Sequence, residues 1–142
     1  MVVGVAAAGV AALIAVRRLE AVAVRGRSMA PALLPGDRLL VARRRHPPRI
    51  GEVVIALDPR SGHRELIKRV TAVGPGGVTL LGDNRSYSTD ARSFGPLPTH
   101  AVSWRVVLRY WPPSRVGAVS NSISTGSDPP AQALSDSPSA QP

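Results

Sequence analysis

The sequence has no cysteine, one lysine and few aromatic side chains (two Trp, two Tyr and one Phe) among its 142 residues. The absence of cysteine excludes a disulfide scaffold, a thiolate nucleophile, a zinc–thiolate centre and an iron–sulfur cluster. The scarcity of aromatics argues against a platform on which nucleic-acid bases would stack. The length suits one compact domain with appendages and is too short for a large two-domain enzyme.

Charge of one sign dominates, with 18 Lys+Arg against 9 Asp+Glu and a net charge of +9. Such a surface suits an anionic partner, for example a lipid headgroup. The arginine run at 43–45 is typical of a solvated loop or a membrane-surface patch. A non-catalytic basic module that binds acidic partners is therefore one hypothesis for the chain, although no nucleic-acid partner is predicted.

The first 18 residues form an apolar N-terminal segment, and residues 1–16 have no charged side chain. As a helix, residues 1–16 would be about 24 Å long, which is short of the roughly 30 Å hydrocarbon core of a bilayer. We expect a membrane anchor in contact with lipid. A cleaved signal peptide, with 21–23 as its A-x-A site, and a start-site artefact are the alternatives.

Topology follows from the charges that flank this segment. Arg17 and Arg18 come directly after the apolar stretch. The positive-inside rule would keep the following domain in the cytoplasm, whereas the opposite orientation would place the domain outside the plasma membrane. The sequence leaves both locations open: a single-pass plasma-membrane protein, or a cytoplasmic protein.

The remaining chain divides into a domain at 19–115 and a tail at 116–142. The tail has no Lys or Arg and is rich in Ser, Pro, Ala and Gln, a composition that predicts disorder. In the domain, short Val/Leu/Ile runs alternate with Gly, Pro and Asp turns, which predicts strands at 22–24, 39–42, 53–57, 66–73, 78–81 and 102–110. We predict a mainly β fold, a small antiparallel β-domain that is closed or strongly coiled.

Metal and phosphate chemistry have no support in the sequence. His46, His63 and His100 are scattered in polar segments flanked by Pro or Gly, and no ligand spacing or phosphate-binding loop is present. We therefore expect no metal and no cofactor.

The single lysine, Lys68, lies in a predicted strand. Period-two alternation places it on one face with Leu66 and Val70. If that face is inward, desolvation lowers the pKa of the ammonium, and a neutral amine can act as a general base. Arginine cannot do this because it stays protonated in proteins. The alternative is a lysine on a solvated face in an arginine-biased chain.

Two further segments could carry chemistry. In the first, Ser28 follows a predicted strand, with Gly26 before it and Pro31 after it. Glycine permits an unusual φ and proline stiffens the exit, so the hydroxyl and the N–H of Ser28 could serve a nucleophile with an oxyanion hole. The second, at 82–92, is a polar loop of small side chains directly after a strand. Each alone would be an ordinary turn.

Together these segments resemble a known family. The order G-x-S-M-x-P, P-G-D, G-E-V-V, I-K-R-V and G-D-N-x-x-x-S-x-D-x-R, from Gly26 to Arg92, is similar to that of the type I signal peptidases, which are Ser/Lys serine endopeptidases. The resemblance implies a β-domain of the signal peptidase/LexA type without the accessory domain of larger members. LexA-type repressors share this domain, but the N-terminal zone has no room for a DNA-binding helical domain.

The resemblance implies roles for individual residues. Ser28 matches the nucleophile, Lys68 the general base, and Ser88 the hydroxyl that orients the lysine amine. The backbone N–H of Ser28 matches one oxyanion donor, whereas Gly26 stands where some members carry a hydroxyl donor. Positions that match structural support of the site are Gly26, Met29, Pro31, Gly82, Asp83, Asn84, Asp90 and Arg92.

Within the last motif, at 82–92, the resemblance implies a contact between Asp90 and Arg92. Three positions depart from the usual pattern, namely Ala32 for Thr, Glu52 for Asp and Ala91 for Ser. None of these departures removes a catalytic group.

Substrate choice is also implied by the resemblance. Members cleave precursor proteins that carry small residues before the scissile bond. The pocket walls are expected at Val24, Leu33, Leu66 and Ile67, although a core role is the alternative for each. The substrate is a signal peptide or a propeptide. Short members that mature nickel-type superoxide dismutase end in a motif like that at 109–112, which makes that cytoplasmic role an alternative.

Overall fold

The six predicted strands are all present, in the predicted order. The structure, a computed structural model, describes residues 18–89 and 91–120 together with Gly9 and Leu13. The strands are β1 (Leu19–Ala23), β2 (Arg38–Arg43), β3 (Val53–Leu57), β4 (Glu65–Gly74), β5 (Gly77–Leu81) and β6 (Val102–Trp111). Within residues 18–89 and 91–120, helical structure is confined to one α-turn, α1 (Ala91–Phe94), and 3₁₀ turns at Arg85–Tyr87, Thr99–Ala101 and Pro113–Arg115. The mainly β prediction is confirmed.

All six strands belong to one antiparallel sheet with the order β1-β2-β6-β3-β4-β5. Strands β1 and β5 are its two edges, so the sheet is open rather than closed. β6 is ten residues long and pairs with both β2 and β3. Register shifts interrupt three of the pairings, and such irregularities bend a strand and increase its twist.

Apolar side chains cover both faces of this sheet. β3 is the clearest case, since Val53 and Ile55 enter one cluster while Val54 and Ala56 enter another. Successive side chains of a strand point to opposite faces, and therefore the Val-Val-Ile-Ala run is buried throughout. The cluster around Val53 also holds Val24, Met29, Leu33, Leu39 and Val41, and the cluster around Val54 holds Val70, Val78, Leu80, Leu97 and Val102.

Several predictions fall on parts of the chain that the structure does not describe. The proposed anchor at 1–18 lies outside the described residues except for Gly9, Leu13 and Arg18, and the tail prediction lies outside them from residue 121 onward. Among the described residues, no helix has the length and apolar character needed to cross a membrane.

Candidate active site

Ser28 lies in the segment that leads from edge strand β1 into the core. Gly26 has a φ of +81°, a backbone conformation that side-chain-bearing residues rarely adopt. Ser28 is half-buried and the following Met29 is 2% exposed. Backbone bonds from Ala30 N to Arg27 O (3.1 Å) and from Leu33 N to Met29 O (2.8 Å) form turns around the serine. The hydroxyl is thus presented on a turn that the buried Met29 anchors.

Lys68 lies on β4 with its side chain inside the protein. It is 2% exposed, and its register partner on β3 is Val54, which is fully buried. The Lys68 Nζ donates a hydrogen bond of 2.9 Å to Ser88 Oγ. The face of β4 that carries Leu66, Lys68 and Val70 is therefore inward, since all three side chains are buried.

The loop after β5 contains Ser88 and also contacts Ser28. A Cβ added at Gly82 would lie 2.1 Å from Ser88 Oγ and 2.6 Å from the carbonyl oxygen of Ser28. Only a glycine leaves room for both groups at that point. The backbone N–H of Asn84 donates to the same Ser28 carbonyl at 2.9 Å. The loop thus contacts both the serine turn and the hydroxyl that holds Lys68.

A buried ion pair holds this loop to β4. Arg69, the neighbour of Lys68, donates from Nε and Nη2 to the two carboxylate oxygens of Asp83 at 2.8 and 2.6 Å. Its Nη1 donates to the carbonyl oxygens of Gly51 and Ser120 at 2.8 and 2.6 Å. Arg69 is 1% exposed. The sequence motifs predict a support role for Asp83 but not its partner, although an arginine next to Lys68 in the same strand was a usable signal.

A second ionic cluster, which the sequence motifs do not predict, holds the segment that follows Ser28. Asp37 is 2% exposed and accepts hydrogen bonds from Leu34 N (2.9 Å), Arg109 Nη1 (3.3 Å) and Arg115 Nη1 (2.9 Å). Arg109 Nη1 also donates to Ala32 O at 2.8 Å. The end of β6 and the turn after it therefore fix the backbone just beyond the serine turn.

A third pair lies at the turn that joins β3 to β4. Arg60 donates from Nε and Nη2 to the two oxygens of Asp58, at 2.9 and 2.7 Å, and its backbone N–H donates at 3.0 Å. These hydrogen bonds lower the pKa of Asp58 to about 2. The turn positions the strand that carries Lys68.

Ser28 and Lys68 line the same cleft, which has a volume of about 700 Å³. Val24, Leu66 and Ile67, three of the four expected pocket residues, line it as well. Leu33 is not among the lining residues and is fully buried in the core. Of the remaining predicted positions, Asp90 lies outside the described residues, so its contact with Arg92 stays a prediction.

The two long walls of the cleft are strand edges. One wall is the chain from Ala21 to Met29, which includes the end of edge strand β1. The other is the start of β4, where β5 does not reach, since pairing between β4 and β5 begins at Arg69. An extended peptide can add to exposed strand edges through its backbone. The cleft is therefore a slot with free strand edges at the end of β1 and the start of β4, and Ser28 and Lys68 are among the residues that line it.

Comparison with known proteins gives the class to which this fold and cleft belong. The family model "Signal peptidase, peptidase S26" matches residues 1–80 and 71–111. The chain belongs to the type I signal peptidase family. Among the described residues, no group of three or more His, Asp or Glu side chains could hold a metal ion.

Named relatives refine this placement. The chain is 33% identical to the mitochondrial ATP-independent inner membrane protease subunit 1a of Arabidopsis thaliana, over 68% of this chain and 73% of the relative. It is 46% identical to the mitochondrial inner membrane protease subunit 1 of Xenopus tropicalis, over 40% of this chain and 34% of the relative. It is 52% identical to the thylakoidal processing peptidase 1 of A. thaliana, over 31% of this chain and 13% of that protein.

Proposed function

We propose that this protein is a serine endopeptidase that removes signal peptides or propeptides from precursor proteins, with Ser28 as nucleophile and Lys68 as general base. The observation that carries the proposal is the burial of Lys68, 2% exposed and bonded to Ser88, in the cleft that Ser28 lines. Burial disfavours the charged form of an amine. Membership of a peptidase family supports the same reading.

The chemistry follows in two stages. Lys68 Nζ takes the proton of the Ser28 hydroxyl while Ser28 Oγ attacks the scissile carbonyl carbon. The bond between that carbon and the amide nitrogen then breaks, and the proton passes to the leaving amine, which leaves an ester on Ser28. Water, deprotonated by Lys68, hydrolyses the ester and regenerates the hydroxyl. The Ser28 N–H is the proposed oxyanion donor.

Ser88 is proposed to hold the amine in position. Its hydroxyl accepts one N–H of Lys68 at 2.9 Å, which leaves the nitrogen lone pair of a neutral amine available to the nucleophile. A base must be held near hydrogen-bond reach of the proton that it removes.

The substrate class rests on the cleft and on the relatives. The slot between strand edges accepts an extended segment, and the apolar side chains of Val24, Leu66 and Ile67 line it. Relatives are named as processing peptidases or inner membrane proteases. A precursor segment with small residues before the scissile bond fits this description. We infer from the same relatives that the chain works at a membrane; a C-terminal reporter fusion separates an exported domain from a cytoplasmic one.

The test is cleavage of candidate precursors by purified protein. The panel contains a precursor with an A-x-A site and a nickel-type superoxide dismutase precursor, because the ending at 109–112 makes the second a candidate. We expect the wild type to produce one defined fragment from at least one of them, and Ser28→Ala and Lys68→Arg to produce none. Ser86→Ala, a serine exposed in the same loop as Ser88, is the matched control and should remain active. Full turnover by Lys68→Arg would overturn the assignment.

A further inference from the structure

The same cleft carries an excess of positive charge along its walls. Arg25 and Arg27 flank Gly26 on one wall, and Arg64 stands at the start of the other. All three side chains are exposed. Glu65 is the one acidic residue among the lining residues. A peptide in the slot would therefore lie between cations.

These arginines differ from Arg60, Arg69, Arg109 and Arg115 because, in the part of the chain that the structure describes, none of them is hydrogen-bonded to a carboxylate, although the charge of Arg64 helps to lower the pKa of Asp58. Asp83 is used by Arg69, Asp37 by Arg109 and Arg115, and Asp58 by Arg60. Within residues 18–89 and 91–120, no ion pair is recorded for the side chains of the three cleft arginines. Asp37, Asp58 and Asp83 are thus occupied in ion pairs that hold the fold, while the three cleft arginines are exposed to a bound chain.

We propose, on the basis of the peptidase function above, that this cleft selects extended segments that carry acidic side chains next to the small residues at the scissile bond. The two strand edges would hold the backbone of the segment. The cations would distinguish a Glu or Asp side chain from a neutral or basic one, because complementary charges attract and like charges repel across an interface.

The expected size of the preference follows from the exposure of the arginines. A solvent-exposed ion pair contributes about 0.2–1 kcal/mol, which is roughly a 1.4- to 5-fold change in kcat/KM for each arginine. A peptide that engages two of them should gain roughly 2- to 25-fold if the two contributions are independent. Salt screens exposed charges, so the preference should shrink at high ionic strength.

The experiment uses the full chain and three peptides that are identical except for flanking Glu, Gln or Lys residues. For the wild type, we expect kcat/KM to fall from the Glu to the Gln to the Lys peptide. We expect the double variant Arg25→Gln/Arg27→Gln and the single variant Arg64→Gln each to reduce the difference in kcat/KM between the Glu and Gln peptides. The control is Arg45→Gln/Arg49→Gln, which removes two positive charges, as the Arg25/Arg27 double variant does, but from exposed positions outside the cleft. This control should leave the difference in kcat/KM between the Glu and Gln peptides unchanged.

A binding measurement separates this inference from the peptidase proposal. Fluorescence anisotropy with Ser28→Ala reports the affinity for each peptide without cleavage. If the wild type cleaves no peptide but Ser28→Ala still binds the Glu peptide most tightly, the inference stands and the peptidase proposal fails. Equal kcat/KM values and equal affinities for the Glu and Gln peptides would overturn the inference. The inference also fails if the control variant reduces the difference in kcat/KM between these two peptides as much as the cleft variants do.

Discussion

Gly82 shows how a single position determines the geometry of the site. A methyl group at this position would collide with the Ser28 carbonyl oxygen and with the Ser88 hydroxyl. The sequence motif predicts that Gly82 supports the site, and these contacts explain why a glycine is needed there. Glycine is required here because two groups occupy the space that a Cβ would take, and not because the φ is unusual. A local sequence pattern cannot distinguish between these two reasons for a glycine.

Replacing this glycine should damage activity more than stability. In Gly82→Ala, the new Cβ would force Ser88 and the Ser28 turn apart, and a misplacement of about 1 Å can cost roughly 100-fold in rate. We expect kcat/KM to fall at least about 100-fold, measured with a cleaved precursor, alongside a melting temperature from the same preparation.

The matched control for this change is Gly76→Ala. A Cβ at Gly76 would meet no atom within 4 Å, so this variant should cleave at the wild-type rate. Wild-type turnover by Gly82→Ala would contradict the geometry described here.

At the scale of elements, long-range ion pairs connect strands to the loops of the site. Asp83 and Arg69 are 14 residues apart in sequence, and Asp37 lies 72 and 78 residues from Arg109 and Arg115. Strand positions could be predicted because each follows from a local Val/Leu/Ile run. These pairings could not, since they depend on which strands become neighbours, and β6 inserts between β2 and β3.

The Arg69–Asp83 pair should be the most sensitive of these connections, because both side chains are almost fully buried. Asp83→Asn removes the negative partner and leaves a buried guanidinium charge uncompensated, which costs about 3–5 kcal/mol. Urea denaturation should show this loss in the free energy of unfolding.

The control for that measurement is Glu20→Gln on the exposed edge strand β1. Exposed substitutions of this kind usually change stability by less than about 0.5 kcal/mol. If Asp83→Asn unfolds at the same urea concentration as Glu20→Gln, the buried pair does not hold the loop to β4.

At the scale of the whole molecule, the acidic residues of the domain mostly stabilise the fold, and this predicts how it responds to acid. The pKa of Asp58 is lowered to about 2 by its hydrogen bonds with Arg60, against about 3.9 in an unfolded chain. Its contribution is therefore present above about pH 4 and is lost as the pH falls through about 2.

Asp58→Asn should consequently melt at a lower temperature than the wild type near neutral pH, where the wild-type carboxylate is charged. The difference should shrink as the pH falls from about 4 towards 2, where the wild-type group becomes protonated. Thermal melts of both proteins across that range test the assignment. A difference that is constant from neutral pH to about pH 2 would show that another effect of the substitution dominates.

The net charge of +9 also takes on a more specific meaning in the folded chain. Composition alone suggested a generally basic surface. In the structure, Arg69, Arg109 and Arg115 are structural cations with carboxylate partners, whereas part of the remaining charge lines the cleft. Ser28 and Lys68 could be proposed from the order of the motifs. Which arginines pair with carboxylates and which line the cleft follows only from the fold.

The central claim is that Ser28 becomes acylated during turnover. The most direct measurement is rapid acid quenching of the protein with a cleaved precursor, followed by mass spectrometry of the peptide that contains Ser28. We expect a transient mass increase on that peptide equal to the N-terminal fragment of the precursor minus one water, absent in Ser28→Ala and in Lys68→Arg. An adduct on another residue, or full turnover by Ser28→Ala, would contradict it.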